Sequence, residues 1–183
     1  MQPILVVYGT TEGHTRKIAE FIAARLRDAG KQVDLVDSAS PEAGQTPPIY
    51  AGAFIGGSVH YDRHQAALTH FVKENLGWLN VIPTAFFSVN LAMLHSDPEA
   101  RAEAKQCADA FVAETGLKPQ ATLLIAGALK YARYDFFKRA LLRYLVRPGG
   151  MKAEEVSEAE FTDWNELARF VDEFVASTQG EGR

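Results

Sequence analysis

The chain has 183 residues, 47% of them hydrophobic, and a formal net charge of −4 at pH 7. This length and composition predict one domain over residues 1–183 with one substantial core. A single cysteine, Cys107, excludes an internal disulfide, no apolar run is long enough to span a bilayer, and the start of the chain does not resemble a signal peptide. We therefore expect a cytoplasmic protein, and we expect no nucleic-acid partner.

The first predicted element is a buried parallel strand over residues 4–8, an apolar run without alternation. Apolar residues recur at helical spacing from Ile18 onwards, so the intervening turn ends at a helix N-terminus. Backbone N–H groups and the helix dipole favour an anion there. The turn consists of Thr10, Thr11, Glu12, Gly13, His14 and Thr15.

The composition of this turn predicts a phosphate site with neutral donors. Three of its residues carry hydroxyl groups, and Gly13 lets a ligand approach the backbone closely. An ATP-binding loop requires a lysine after the glycine, and this turn has none. The Gly-x-Gly-x-x-Gly pattern of dinucleotide folds is also absent. The loop therefore suits the phosphate of flavin mononucleotide (FMN). The alternative is a turn whose threonines only cap the helix.

Four more strands are predicted downstream, over residues 33–36, 53–57, 84–89 and 122–126. Helices separate them, and Gly30 is expected to end the first helix. A later helix is expected to begin at Asp97 and reach about Thr115, and Asp163 is expected to cap the last one. Five strands that alternate with helices predict an α/β fold with a doubly wound five-stranded parallel sheet.

Ligands of such sheets bind beyond the carboxyl ends of the strands, at the point where the strand order reverses. Besides the first turn, residues 57–64 and 88–94 meet this condition. The former offers small residues and an aromatic ring for a planar isoalloxazine, and the latter offers backbone groups and an amide for its pyrimidine edge. The predicted contacts are Ser58, Val59, His60 and Tyr61, and then Ser88, Val89, Asn90 and Leu91.

The alternative is that His60, Tyr61 and His64 are ordinary loop residues. A metal site is not expected, because the histidines, including the pair His60 and His64, lack the spacing of metal ligands.

A long segment, about residues 127–161, separates the fifth predicted strand from the last helix. Its basic part, from Lys130 to Arg147, carries six cations against one acid, a net charge of +5. Aromatic and leucine residues on one side and arginines on the other predict a basic amphipathic helix, which suits an anionic membrane surface. The alternative is a helix that packs its apolar side on the sheet.

Two sets of motifs resemble known families. The pattern Val6-Val7-Tyr8-x-Thr10-x-x-Gly13-x-Thr15-x-x-x-Ala19 is similar to the flavodoxin signature, so the expected fold is flavodoxin-like. Residues 125–134, residues 88–91 and the run Phe161-Thr162-Asp163-Trp164 resemble the menaquinone-dependent protoporphyrinogen oxidases of flavodoxin type. This likeness extends over nearly the whole chain, but the sequence departs from it after Arg147.

The resemblance implies FMN as cofactor and oxidation of protoporphyrinogen IX to protoporphyrin IX in haem synthesis. Electrons would pass to a membrane quinone, menaquinone or ubiquinone, and the protein would lie peripherally on the cytoplasmic face of the inner membrane. Substrate or membrane contacts are then expected at Lys130, Tyr131, Arg133, Phe137, Arg139, Arg143, Tyr144 and Arg147. No catalytic residue is identified.

Two other functions remain open at this point. A flavodoxin-type electron carrier would dock a redox protein, although such carriers usually present acidic surfaces around the flavin. An NAD(P)H:quinone reductase would need a nucleotide site, and no motif for one is visible in the sequence.

Overall fold

The computed structural model describes residues 2–94, 98–127 and 160–180. Strands and helices alternate along most of this length. In chain order they are β1 (Ile4–Gly9), α1 (His14–Asp28), β2 (Val33–Asp37), a 3₁₀ turn (Pro41–Gln45), β3 (Gly52–His60), β4 (Arg63–His64), α2 (Ala66–Leu79), β5 (Thr84–Asn90), a second 3₁₀ turn (Leu91–Leu94), α3 (Pro98–Thr115), β6 (Ala121–Ala126) and α4 (Trp164–Gly180).

Five of the strands form a parallel sheet in the order β2-β1-β3-β5-β6. The central strands are buried on both faces, which explains why β1 is apolar along its whole length instead of alternating. The chain runs from β1 outwards to β2, then returns past β1 to β3 and continues to β5 and β6. The predicted doubly wound parallel sheet is confirmed, and β1 and β3 flank the point where the strand order reverses.

The sheet carries a core on each face, because successive strand residues point to opposite sides. On one face Val6, Phe54 and Phe87 pack with α1 and with α4. On the other face Leu5 and Ile55 pack with α2 and α3. Each fully buried leucine or phenylalanine stabilises the fold by about 1.5–3 kcal/mol, so the two cores hold the strand ends in fixed relative positions.

Two predicted helix boundaries are confirmed by their hydrogen bonds. Gly30 adopts φ +77° after α1, and Lys31 N–H donates to Leu26 O at 3.0 Å, as in a glycine-ended helix. Asp163 Oδ1 accepts the N–H groups of Asn165 and Glu166 at 3.0 and 2.9 Å, so this aspartate caps α4. The predicted cap Asp97 lies outside the described residues.

The turn predicted at residues 57–64 begins later than expected and is confined to Tyr61 and Asp62. Strand β3 continues to His60, and the chain returns as β4, which pairs antiparallel with Val59 and His60. Gly56 lies inside the strand, and a Cβ there would come within 2.1 Å of the Phe87 ring. The glycine therefore makes room for a core side chain and does not mark a turn.

The second predicted ligand turn also begins later than expected. Ser88, Val89 and Asn90 are the last residues of β5, and the chain turns only at Leu91. The predicted basic helix and every predicted substrate or membrane contact from Lys130 to Arg147 lie outside the described residues.

Candidate functional site

A cleft lies at the carboxyl ends of the parallel strands, beside the first turn of α1. It encloses about 380 Å³ including its open mouth. The ends of β1, β3, β5 and β6 meet there, so the structure brings together parts of all three predicted ligand segments. The lining residues are Thr10, Glu12, His14, Thr15, Ser58, Val59, His60, Val89, Leu91 and Gly127.

The loop between β1 and α1 leaves the N-terminus of the helix open. Gly13 is the N-cap residue at φ +84°, and no side chain caps the helix. The Thr10 hydroxyl accepts the Gly13 N–H at 2.9 Å and holds the loop closed, while Thr15 is buried in the first turn. An open helix N-terminus edged by hydroxyl groups suits an anion.

The cations of this region belong to other partners. Arg16 Nε donates to Glu20 at 2.8 Å, and Lys17 pairs with Glu160. Neither cation is among the cleft-lining residues. This loop therefore presents backbone N–H groups and the hydroxyls of Thr10 and Thr15 to the cleft without a lysine or arginine, and such donors suit a phosphate.

His14 is fixed by a chain of hydrogen bonds. The Thr162 hydroxyl donates to Ala126 O at 3.0 Å, so its oxygen accepts at 2.7 Å from His14 Nε2–H. The His14 ring is buried and meets the Trp164 ring edge-on at 6.4 Å. These contacts join the first turn of α1 to the end of β6 and the start of α4. No local pattern in the sequence predicts them.

The β3 side of the cleft is formed by Ser58, Val59 and His60, which are all partly buried. Desolvation lowers the pKa of His60, and the nearby Glu12 carboxylate opposes that shift. His60 is therefore uncharged near neutral pH, and Glu12 adds negative charge beside the proposed phosphate position. Tyr61 stands at the tip of the hairpin with 73% of its surface exposed, outside the cleft lining.

The β5 side contributes Val89 and Leu91 to the cleft, whereas its polar side chains serve the interior. Ser88 is fully buried, and its hydroxyl contacts His64 Nε2 at 3.0 Å. Asn90 is buried, and its Oδ1 accepts the Ala92 N–H at 2.9 Å. The oxygen of the Asn90 amide is therefore already engaged in the turn. The contact of this amide with a flavin edge stays a prediction.

Gln65 is a residue that the sequence analysis missed. It precedes α2, and its Nε2 donates to Ser58 Oγ at 2.5 Å and to Thr11 Oγ1 at 3.2 Å. It therefore connects the phosphate loop to the end of β3, although a glutamine after a predicted turn gives no signal of such a role.

Two kinds of feature are not found in the described part of the chain. No group of three His, Cys, Asp or Glu side chains there could hold a metal ion. No helix among those same residues is long and apolar enough to cross a membrane.

Comparison with known proteins adds three findings. The sequence model of the flavodoxin domain matches residues 5–155. The chain is 34% identical over 173 residues to a protoporphyrinogen IX dehydrogenase (quinone) of Leishmania major, covering 94% of this chain and 74% of that protein. It is 32% identical over 175 residues to the enzyme of the same name from Escherichia coli K12, covering 95% of both chains.

Solved structures give the same fold. Oxidised flavodoxin 2 from Bacillus cereus superposes with a TM-score of 0.58 at 18% identity, covering 96% of this chain and 99% of that chain. This likeness concerns the architecture alone.

Proposed function

Because this chain belongs to the flavodoxin domain family, we propose that it oxidises protoporphyrinogen IX to protoporphyrin IX with FMN and passes the electrons to a membrane quinone. The chain is an oxidoreductase of flavodoxin type, and its family implies a flavin cofactor. The named substrate and acceptor of the relatives support the finer proposal, which places this chain in haem synthesis.

The observation that carries the proposal is the cleft at the switch point of the sheet. An uncapped helix N-terminus, buried Thr15 and the hydroxyl of Thr10 offer an anion neutral donors at one end of it. Ser58, Val59 and His60 form the other side together with Val89 and Leu91, and a planar ring system would lie there. Bound FMN would supply two-electron transfer, which side chains do not provide.

This chain's own residues would bind and orient the reactants. The loop from Thr10 to Thr15 would hold the phosphate, with Thr11, Glu12, Gly13 and His14 shaping its backbone. His60, uncharged near neutral pH, would leave the ring site without a fixed positive charge. One edge of the flavin would stay open to a porphyrinogen and then to a quinone. No residue is assigned as a general base.

The basic segment supports a lipid-facing role. Its charge of +5 contrasts with a chain that is acidic overall, and such segregation favours a local anionic partner. We assign Lys130, Arg133 and Arg139 to the propionates of the substrate as charged hydrogen-bond donors. Tyr131, Phe137, Arg143, Tyr144 and Arg147 would contact the substrate or an anionic membrane at its cytoplasmic face.

The test is a comparison of two substrate pairs on the purified, FMN-loaded protein. We expect turnover of protoporphyrinogen IX with menaquinone or ubiquinone, followed by protoporphyrin fluorescence, and little turnover of NAD(P)H with the same quinones. Rapid NAD(P)H turnover without protoporphyrinogen oxidation would identify a quinone reductase. FMN binding without turnover of either pair would identify an electron carrier.

A double variant shows whether activity depends on the proposed phosphate loop. Thr10→Val with Thr15→Val removes hydrogen bonds to a charged group, each worth about 1.5–3 kcal/mol, so FMN content and turnover should fall together. Thr46→Val is the matched control, since the Thr46 hydroxyl contacts Glu42 O in an exposed 3₁₀ turn away from the cleft. Equal FMN retention in both variants would contradict the assignment of the loop.

A further inference from the structure

Gln65 occupies a position between the two halves of the proposed flavin site. It is the residue before α2, and its side chain does not cap that helix. Its carboxamide instead reaches back over the strand ends, to the Ser58 hydroxyl in β3 and the Thr11 hydroxyl in the phosphate loop. Strands β1 and β3 pair up to Gly9 and Gly57, and the Gln65 carboxamide joins the residues that follow this last pair.

Two glycines create the space for this carboxamide. A Cβ on Gly9, at the end of β1, would come within 2.7 Å of Gln65 Oε1. A Cβ on Gly57, the neighbour of Gly9 in the sheet register, would come within 2.9 Å of the same oxygen. The carboxamide thus lies in a slot where the backbones of β1 and β3 are bare, directly before the phosphate loop begins.

The slot is an unusual place for an amide. Gln65 Oε1 is buried and has no hydrogen-bond donor within the described part of the chain, which costs stability relative to an apolar side chain. Both hydrogen bonds that the amide makes go to hydroxyl groups at the site. The carboxamide therefore contributes to the arrangement of the site more than to the core.

We propose that Gln65 is a positioning residue, which sets the phosphate loop at a fixed distance from the ring-binding end of β3. This role rests on the proposed function, because it assumes that phosphate and ring of one FMN bind to these two segments. Gln65 contacts Thr11 and Ser58 and acts on the cofactor through them. If Gln65 is replaced, the phosphate loop keeps its hydrogen-bond donors. These donors then no longer align with the phosphate of an FMN whose ring is bound at the end of β3.

The experiment compares FMN with riboflavin, which has the same ring system but no phosphate. In Gln65→Met, which keeps the length of the side chain, FMN affinity should fall about tenfold. Riboflavin affinity should change by less than about twofold, because riboflavin does not use the phosphate loop. Both dissociation constants are measured by quenching of flavin fluorescence, and thermal melting reports stability separately.

Asn75→Met is the matched control. Asn75 is also a partly buried amide associated with α2, but it bonds Phe71 O and the Trp78 indole inside the helix layer. This variant should keep the ratio of FMN to riboflavin affinity of the parent protein. Gly9→Ala is a second test variant and should lower FMN affinity selectively, as Gln65→Met should. Its methyl group would displace the Gln65 carboxamide without removing any polar group.

The outcomes separate the two proposals. Selective loss of FMN affinity in Gln65→Met or in Gly9→Ala supports the positioning role, and the second variant decides the question if the first fails to fold. Unchanged FMN affinity, or equal loss of FMN and riboflavin affinity, overturns it. A parent protein that binds no FMN overturns the proposed function and this role together, whereas a failed ratio test leaves the proposed function standing.

Discussion

At the scale of single residues, His64 has a lowered pKa that affects the stability of the folded protein. Its buried ring packs against the stacked Phe86 and Phe111 rings, whose centroids lie 5.4 and 4.8 Å away. Its Nε2 contacts Ser88, and its Nδ1 has no hydrogen-bond partner within the described residues. Burial lowers the pKa of His64 to about 4, so the ring is neutral in the folded protein. Among the described residues no acid contacts His64 Nδ1, and Ser88 is fully buried, so this serine–histidine pair is a core contact.

This shift predicts a loss of stability in mild acid. The folded-state pKa of about 4 lies below the ordinary value of 6.5, so the unfolded chain binds a proton that the native state excludes. The stability that depends on the neutral His64 ring is fully present above pH 6.5. As the pH falls towards 4, the free energy of unfolding decreases by about 3 kcal/mol in total. Urea unfolding of the parent protein between these pH values should show that loss.

Two variants assign the effect to His64. The double variant His64→Leu with Ser88→Ala removes the titrating ring together with its partner and should flatten the pH dependence. The single variant Ser88→Ala keeps the buried ring and should keep the slope. The same slope in both variants would contradict the assignment.

At the scale of an element, the β3–β4 hairpin is the strained part of the site. Its two central residues, Tyr61 and Asp62, have φ values of +50° and +61°. Positive values at both positions are characteristic of the turn that joins two strands through two residues, which favours asparagine and glycine. Tyr61 is exposed at this turn, next to His60 of the cleft lining.

We expect Asp62→Gly to stabilise the protein by about 0.5–1 kcal/mol, because glycine adopts positive φ without steric cost. The measurement is the midpoint of urea unfolding. Asp62→Ala is the control, since it removes the same carboxylate but keeps a Cβ at the strained position. If both variants shift the midpoint equally, the effect comes from the charge and the prediction is wrong.

At the scale of the whole molecule, the charge of the chain is divided. The described helices carry acid–base pairs of their own, such as Arg25 with Asp172 between α1 and α4. The segment from Lys130 to Arg147 has six cations against one acid. Its charge therefore cannot be neutralised within the segment, which favours the proposed anionic surface.

Changing Arg139, Arg143 and Arg147 to glutamate should sharply reduce binding to anionic vesicles. Each arginine near such a surface contributes about 1 kcal/mol, and the replacement acids are repelled. Cosedimentation with vesicles of mixed neutral and anionic lipid measures the effect, and FMN content should barely change.

A matched triple variant holds the net charge change constant. Arg27, Arg101 and Arg169 are exposed on α1, α3 and α4, and their change to glutamate should reduce vesicle binding much less. Equal reductions in the two variants, or no vesicle binding by the parent protein, would contradict a membrane role for the segment.

The sequence by itself determined the parts of this protein that depend on neighbours in the chain. Continuous apolar runs predicted the parallel strands, because a strand covered on both faces has no polar side. Gly30 and Asp163 predicted helix ends, because caps act within a few residues of themselves. The loop before α1 predicted an anion site, because a helix N-terminus and its hydroxyl groups are local features.

Only the tertiary structure decided which distant residues meet. The Phe87 ring of β5 occupies the position that a Cβ of Gly56 in β3 would take. His14 and Thr162 are 148 residues apart in sequence, and Gln65 is 54 residues from Thr11. Ser88 and Asn90, which the sequence predicts as flavin contacts, also contact His64 and the backbone of the turn. Such contacts depend on the packing of the strands and helices, which fixes distances that no local pattern records.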